Sequence, residues 1–281
     1  KFAQKAEGIK RIGVLRADVD NLGQTFVAGF AGKYATLSRT AALSRQLSIF
    51  FKYYIRSILK NGEYHIDGEK KLTERNATIV YSGGDDVFIV GAWNEVIELS
   101  IDLQEKFKKY TQGTLSISSG IGIYECTYPI GAIANETGEM EAESKRMPEK
   151  DSVTFMDDGE THLINELEIC DGTYRWEELY KSVLGEKYDV IQDFLGESDE
   201  RGMSFLYRML ELIRNQKEKI NFARFVYLLS RLEPDKEGEK KEKYRKFSRK
   251  MYQWVQSEKD CRELKTAINL YAYMHREKGA H

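Results

Sequence analysis

Two short stretches of the chain place carboxylates beside turn-forming residues. One is Leu15-Arg16-Ala17-Asp18-Val19-Asp20-Asn21-Leu22-Gly23; the other is Tyr81-Ser82-Gly83-Gly84-Asp85-Asp86-Val87-Phe88. In an extended strand alternate residues share a face, so Gly13, Leu15, Ala17 and Val19 fall on one side and Arg16, Asp18 and Asp20 on the other. Adjacent carboxylates at a hairpin tip repel each other, and a hard divalent cation held by Asp oxygens would offset that while bridging substrate phosphates. Gly83 and Gly84 permit positive φ and close approach of a ligand to the backbone. Free N–H groups where Asn21-Leu22-Gly23 turns toward a helix can hold phosphate oxygens. Either stretch alone is also an ordinary turn; the two together point to metal-assisted phosphate chemistry. His65, His162, His275 and His281 all lie outside both stretches, so the carboxylates are assigned to metal binding and not to proton transfer.

The elements that must bring these residues together follow from hydrophobic periodicity. Lys10–Asp20 reads as a strand, and Leu37–Lys60 as a helix with Leu43, Leu47, Phe50, Phe51, Tyr54, Ile55 and Ile58 at helical spacing. Ala77–Ser82 and Val87–Ala92 are apolar strands joined by Gly83-Gly84-Asp85-Asp86, a hairpin signal. Asn94–Tyr110 is expected to be helical, Thr114–Tyr124 a strand, Ile130–Arg146 a helix and Ser152–Met156 a short last strand. The order β-α-β-β-α-β with one more helix and strand predicts an α+β, ferredoxin-like domain, helices on one face and the other face free for a site. Its first strand lies beside the hairpin, so Asp18 can meet Asp85 and Asp86. In the third strand Ser116, Ser118, Gly120 and Gly122 form a nearly bare face. That bareness leaves room for a flat base and ribose, or equally for close packing against another backbone.

Glycine divides the chain: 17 of the 22 lie in residues 1–172. Beyond a boundary marked by Asp157-Asp158-Gly159 and Asp171-Gly172, helices are expected near 174–195, 202–216, 221–232, 239–257 and 260–277. Stripes such as Met203, Leu206, Met209, Leu210 and Ile213 suit the core of an all-α helical bundle. The resulting division is 1–160 and 161–281.

With 281 residues, 41% hydrophobic and 31% charged, the chain can bury a real core, which excludes disorder and disulfide mini-scaffolds. No apolar run reaches membrane-spanning length. Cys126, Cys170 and Cys261 form no metal-binding spacing and suit a reducing cytoplasm. The 43 basic and 45 acidic residues leave a net charge of −2, so bulk charge specifies no partner. The local run Lys236, Lys240, Lys241, Lys243, Arg245, Lys246, Arg249 and Lys250 could contact RNA or protein, or be a solvated helix with i,i+4 ion pairs.

Ala17-Asp18-Val19-Asp20-Asn21-Leu22-Gly23 followed by Tyr81-Ser82-Gly83-Gly84-Asp85-Asp86 resembles the second palm domain of the large signature subunit of type III CRISPR effector complexes. Leu-Arg-Ala-Asp-Val-Asp-Asn-Leu-Gly and the helical tail look most like the Csm (III-A) branch. Such palms are also similar to GGDEF cyclases and nucleic-acid polymerases. The resemblance implies a palm followed by a helical domain that converts ATP into cyclic oligoadenylate when target RNA is bound to the guide complex. It implies Mg²⁺ (or Mn²⁺) held by Asp18, Asp85 and the Val19 carbonyl, with Asp86 completing the acidic pocket. Gly83 and Gly84 would let the nucleotide close in, and Asn21, Leu22 and Gly23 would offer backbone to the triphosphate. Ser82 and Ser118 are counted among the nucleotide contacts, and Lys145 would meet phosphate.

The expected partners are the first palm and nuclease portion of the same subunit, the other subunits of the complex, and guide and target RNA through them; no membrane is expected. No His-Asp doublet occurs, so no DNase activity is expected from this chain. Because the family's synthase site lies between two palms, this one alone would bind nucleotide yet turn over poorly. The alternatives are a catalytically quiet module that anchors the guide-RNA complex and a free-standing GGDEF-type cyclase. Val87 after the acidic pair and the large helical tail speak against the second.

Overall fold

The computed structural model describes every residue except 31, 69–71, 158, 197–199, 215–218 and 277–281. The expected helix ends at 216 and 277, together with Asp158 and His281, therefore lie outside the described residues. The chain divides into two compact units, Lys1–Trp176 and a second beginning at Glu177.

The first unit is α+β. Its main sheet has the strand order β2-β3-β1-β4-β5-β8, with β1 Ile12–Val19, β2 Ala77–Ser82, β3 Asp86–Ala92, β4 Ile117–Tyr124, β5 Ser152–Phe155 and β8 Thr173–Arg175. β1 runs antiparallel to β3 and β4, while β4 and β5 are parallel. On one face, Leu15, Ala17, Val87, Ile89 and Ile121 are buried under the Trp93–Tyr110 helix. Gly13 makes that contact close: a Cβ there would stand 2.7 Å from the Trp93 Cα. The expected helix from Leu37 forms, with Thr36 capping its N-terminus, but Phe50–Tyr54 widens into a π turn before Ile55–Lys60. Phe50 packs edge-on against Phe107 at 5.1 Å, and each such fully buried side chain contributes about 1.5–3 kcal/mol.

Arg75 clips the loop before β2 onto the Trp93–Tyr110 helix. Its buried guanidinium pairs with Glu98 and, at 2.7 Å, with Asp102, and Asp102 also accepts from the Tyr64 N–H at 2.9 Å.

Two expectations need correction. The second face of the sheet is not free, because the Ile130–Ser144 helix lies on it. A Cβ at Gly120 would stand 2.5 Å from the Glu141 nitrogen and 2.5 Å from the Thr137 carbonyl, and Ile133 packs with Val14 and Tyr124. The missing side chains at Gly120 make room for helix backbone. Nor is the stretch after 160 purely helical. β6 (Thr161–Ile164) and β7 (Leu167–Cys170) form a hairpin, and β8 returns to the main sheet, so the first unit continues through Trp176.

Trp176–Glu178, which spans the boundary into the second unit, a π-helical Leu179–Tyr188 and Asp189–Leu195 run on as one helical segment. Glu200–Arg214, Lys219–Ser230, Glu239–Trp254 and Glu258–His275 follow. Leu206, Met209, Leu210, Ile213, Phe225 and Leu229 are buried, as is Lys187, which pairs with Glu263 and, at 2.9 Å, with Asp260. The basic run is largely ion-paired within its own unit: Lys241 and Arg245 on Glu237 at 3.0 and 3.1 Å, Lys246 on Asp193 at 3.3 Å and Lys250 on Glu186 at 2.6 Å. That favours the solvated-helix alternative. Among the described residues no helix is long and apolar enough to cross a membrane.

Candidate functional site

The two acidic stretches meet at one end of the main sheet. Asp18, near the end of β1, lies directly opposite Asp86 at the start of β3 and opposite Ser118 on β4. Directly opposed residues in an antiparallel pair share a face, so Asp18 and Asp86 project to the same side. The tip is tied down by backbone: Val19 N–H donates to the Asp85 carbonyl at 3.2 Å, and Gly83 N–H to the Asp86 carbonyl at 2.8 Å. A side chain at Gly83 would collide with the Asp86 carboxylate and the Tyr81 hydroxyl, whereas Gly84 faces open space. Partial burial raises the pKa of Asp85, and the nearby charges of Asp18 and Asp86 raise it further, against a smaller lowering by Lys145.

Lys145 follows the last residue of the Ile130–Ser144 helix and reaches this acidic group. Its ammonium pairs with Asp18 Oδ2 and, at 2.9 Å, with Glu141 Oε1. Burial works against its charge, but the hydrogen bonds it donates to Asp18 and Glu141 outweigh that and hold its pKa above the ordinary lysine value. Among the described residues no group of three or more His, Cys, Asp or Glu side chains is arranged to hold a metal ion. The donor set nonetheless suits Mg²⁺, which binds through one or two carboxylates plus substrate phosphates and not through a closed protein cage. Burial first, and then the charges of Asp18 and Asp86, raise the Asp85 pKa; such an ion would neutralise those charges.

Asp20 and Asn21 play different parts from Asp18. Asp20 is buried and accepts from Ser116 Oγ at 2.7 Å and the Asp151 N–H at 3.1 Å, so it pins the end of β1 to its neighbours. Asn21 adopts the left-handed conformation (φ 53°) and leads into the Leu22–Ala28 helix without a side-chain cap. Its Oδ1 accepts instead from Lys150 Nζ at 2.8 Å. The first turn, at Leu22 and Gly23, thus keeps N–H groups that no capping side chain fills.

Of the expected nucleotide contacts, Ser82 turns away from the acidic group, and Ser118 stays beside it. A bulge between Ile79 and Tyr81 shifts the register so that Ser82 pairs with Val87 and not with Asp86. Ser82 therefore shares the face of Val87, away from Asp18, and its hydroxyl donates to the Phe51 carbonyl at 2.6 Å. Ser118 shares the Asp18 face but is fully buried, its hydroxyl without a hydrogen-bond partner among the described residues. Three residues outside the expected set join the site's surroundings: Arg16, whose Nε is 3.0 Å from Glu141 Oε2, Glu141 itself, and Lys150. The i,i+4 spacing of Glu141 and Lys145 was the available sequence signal.

Residues 11–154 match the family model for the second palm domain of Cas10/Cmr2, and residues 192–277 that for the second helical domain of the CRISPR RNA silencing complex Cmr2 subunit. The chain is 42% identical, over 99% of its own length and 33% of the relative's, to the CRISPR system single-strand-specific deoxyribonuclease Cas10/Csm1 (subtype III-A) of Mycobacterium tuberculosis. It spans about a third of the length of the curated relatives it matches. A solved Csm1-Csm4 cassette in complex with pppApApA is similar with a TM-score of 0.69 and 27% identity, covering 94% of this chain and 38% of that one. Another, in complex with one ATP, gives a TM-score of 0.67 and 25% identity over 95% of this chain and 37% of that one. By its matched palm and helical domains and this similarity along nearly its whole length, the chain belongs to the Cas10 family, in its Csm1, subtype III-A branch.

Proposed function

We propose that this chain is the catalytic palm, followed by a helical-bundle domain, of a target-RNA-activated cyclic oligoadenylate synthase. The ferredoxin-like palm with its acidic site runs from residue 1 through Trp176, and the helical domain follows from Glu177. ATP is the substrate: a 3′-hydroxyl attacks the α-phosphate of a second nucleotide, a 3′–5′ phosphodiester forms, and pyrophosphate leaves. The observation that carries this reading is the meeting of Asp18 with the Asp85-Asp86 pair at one sheet end, under a lysine. Similarity to Csm1-Csm4 cassettes in complex with one ATP or pppApApA supports an adenine nucleotide and a Csm4-type partner subunit.

Asp18, Asp85, Asp86 and the Val19 carbonyl would hold Mg²⁺ (or Mn²⁺), which neutralises charge on the attacked phosphate and activates the nucleophile. Lys145 exchanges its Asp18 contact for a phosphate oxygen. The uncapped N–H groups at Leu22 and Gly23 take further phosphate oxygens, with Asn21 setting the turn. Gly83 and Gly84 keep the hairpin tip clear of side chains where the nucleotide approaches. The other palm of the subunit supplies the second nucleotide, and guide and target RNA act through the assembled complex.

The test is Asp85→Ala with Asp86→Ala in the complete complex, scored by cyclic product from ATP. Loss of synthesis by at least about 100-fold is expected, the scale of removing a group that stabilises transition-state charge; unchanged synthesis rejects the assignment. One observation favours a second reading, a catalytically quiet anchoring module: the Asp18 carboxylate is already occupied by Lys145. A titration of the intact subunit with Mg²⁺-ATP that shows no binding would establish it.

A further inference from the structure

Glu141 is 8% exposed and lies between two cations. Its Oε2 is 3.0 Å from Arg16 Nε and its Oε1 is 2.9 Å from Lys145 Nζ, which in turn pairs with Asp18. Four charges of alternating sign thus run from Arg16, through Glu141 and Lys145, to Asp18, two residues further along β1 than Arg16. Gly120 sets this arrangement, since its missing side chain lets the helix backbone at Glu141 rest on β4. Arg16 in turn lies against Gly138, one helical turn back from Glu141.

A lysine is a compact point charge on a flexible four-carbon stem. If Asp18 were its only anchor, Lys145 would be released when a cation takes the Asp18 carboxylate. Its second anchor is outside the acidic group and is not competed for by that cation. Arg16 holds the other Glu141 oxygen, fixing the carboxylate in place and sharing its charge, so that Glu141 orients Lys145 without monopolising it. Glu141, in contrast to Asp85, has no place in the acidic group itself.

We infer that Glu141 is a positioning residue that keeps Lys145 over the nucleotide's phosphates once Lys145 has left Asp18, with Arg16 holding Glu141 in place; this role rests on the nucleotide-binding reading above.

The experiment is a double-mutant cycle in the intact subunit within its complex, read by calorimetric Mg²⁺-ATP affinity for the unaltered protein, Glu141→Gln, Lys145→Ala and both together. Glu141→Gln should weaken binding about tenfold, the size of one lost charge-assisted hydrogen bond. Lys145→Ala should weaken it at least as much, and the double variant no more than Lys145→Ala alone. Mn²⁺ affinity without nucleotide, followed by electron paramagnetic resonance, should not fall in Glu141→Gln. If Glu141→Gln weakens ATP binding as much without Lys145 as with it, or not at all while Lys145→Ala does, the positioning role is overturned and the nucleotide site stands. If Lys145→Ala changes nothing, the phosphate role of Lys145 itself falls. Should Glu141→Gln not fold, Glu141→Asp enters the same cycle, with the same non-additivity expected.

Discussion

At the scale of single residues, Asp85 carries a measurable consequence. Partial burial, with Asp18 and Asp86 close by, raises its pKa. A divalent cation binds the ionised carboxylate, so affinity falls as pH drops through that raised value. We expect Mn²⁺ binding to weaken on acidification at a higher pH than for an isolated carboxylate pair, and Asp18→Asn to move that weakening to lower pH. Paramagnetic relaxation titrations at several pH values would read both shifts; an acid limb that does not move in Asp18→Asn would contradict the coupling. The carboxylates were legible in the sequence because strand parity and turn chemistry are local properties. Ser82 was not, because its face depends on one extra residue in β2 that only pairing with β3 reveals. Glu141 showed in the sequence only as an i,i+4 partner of Lys145; its contact with Arg16 arises from a helix crossing the sheet and not from neighbours in sequence.

At the scale of elements, the contact between β4 and the Ile130–Ser144 helix holds the site's lysine in place. Gly120→Ala puts a methyl 2.5 Å from two backbone atoms, the Glu141 nitrogen and the Thr137 carbonyl, neither of which can swing aside as a side chain tip would. We expect a loss of about 1–3 kcal/mol in urea unfolding, the range for overpacking, accompanied by weaker Mg²⁺-ATP binding through displacement of Lys145. Alternation on β1, β3 and β4 made these strands legible, as Gly83-Gly84 made the hairpin. The small residues of β4 were ambiguous, because a vacant face suits a ligand and a helix backbone alike until the chain is traced. The β6–β7 hairpin escaped for another reason. Asn165 and Glu166 turn it with φ of 49° and 68°, and a glutamate where glycine is the rule at such turns removes the usual signal. With that signal missing, residues 161–175 resemble in sequence the approach to a helical domain.

For the whole molecule, the second unit carries its own buried charge centre. Lys187 is 1% exposed and held by Glu263 and Asp260. Lys187→Met strands buried carboxylate without its cation, a change that costs about 3–5 kcal/mol. Hydrogen exchange should show the loss across Leu179–Tyr188 and Glu258–His275 while the main sheet of the first unit keeps its protection; a uniform loss over both units would mean that they unfold as one.

The bulge in β2 has an effect beyond the face it assigns to Ser82. β2 is the outermost strand on its side of the sheet, with Val80 and Tyr81 exposed. A straight apolar rim of that kind invites a stray strand from another molecule to dock edgewise. One surplus residue breaks the regular spacing of outward-pointing amides and carbonyls there, so a visiting strand finds no continuous row to zip onto. The irregularity beside the acidic hairpin thereby also guards the protein against sticking to itself.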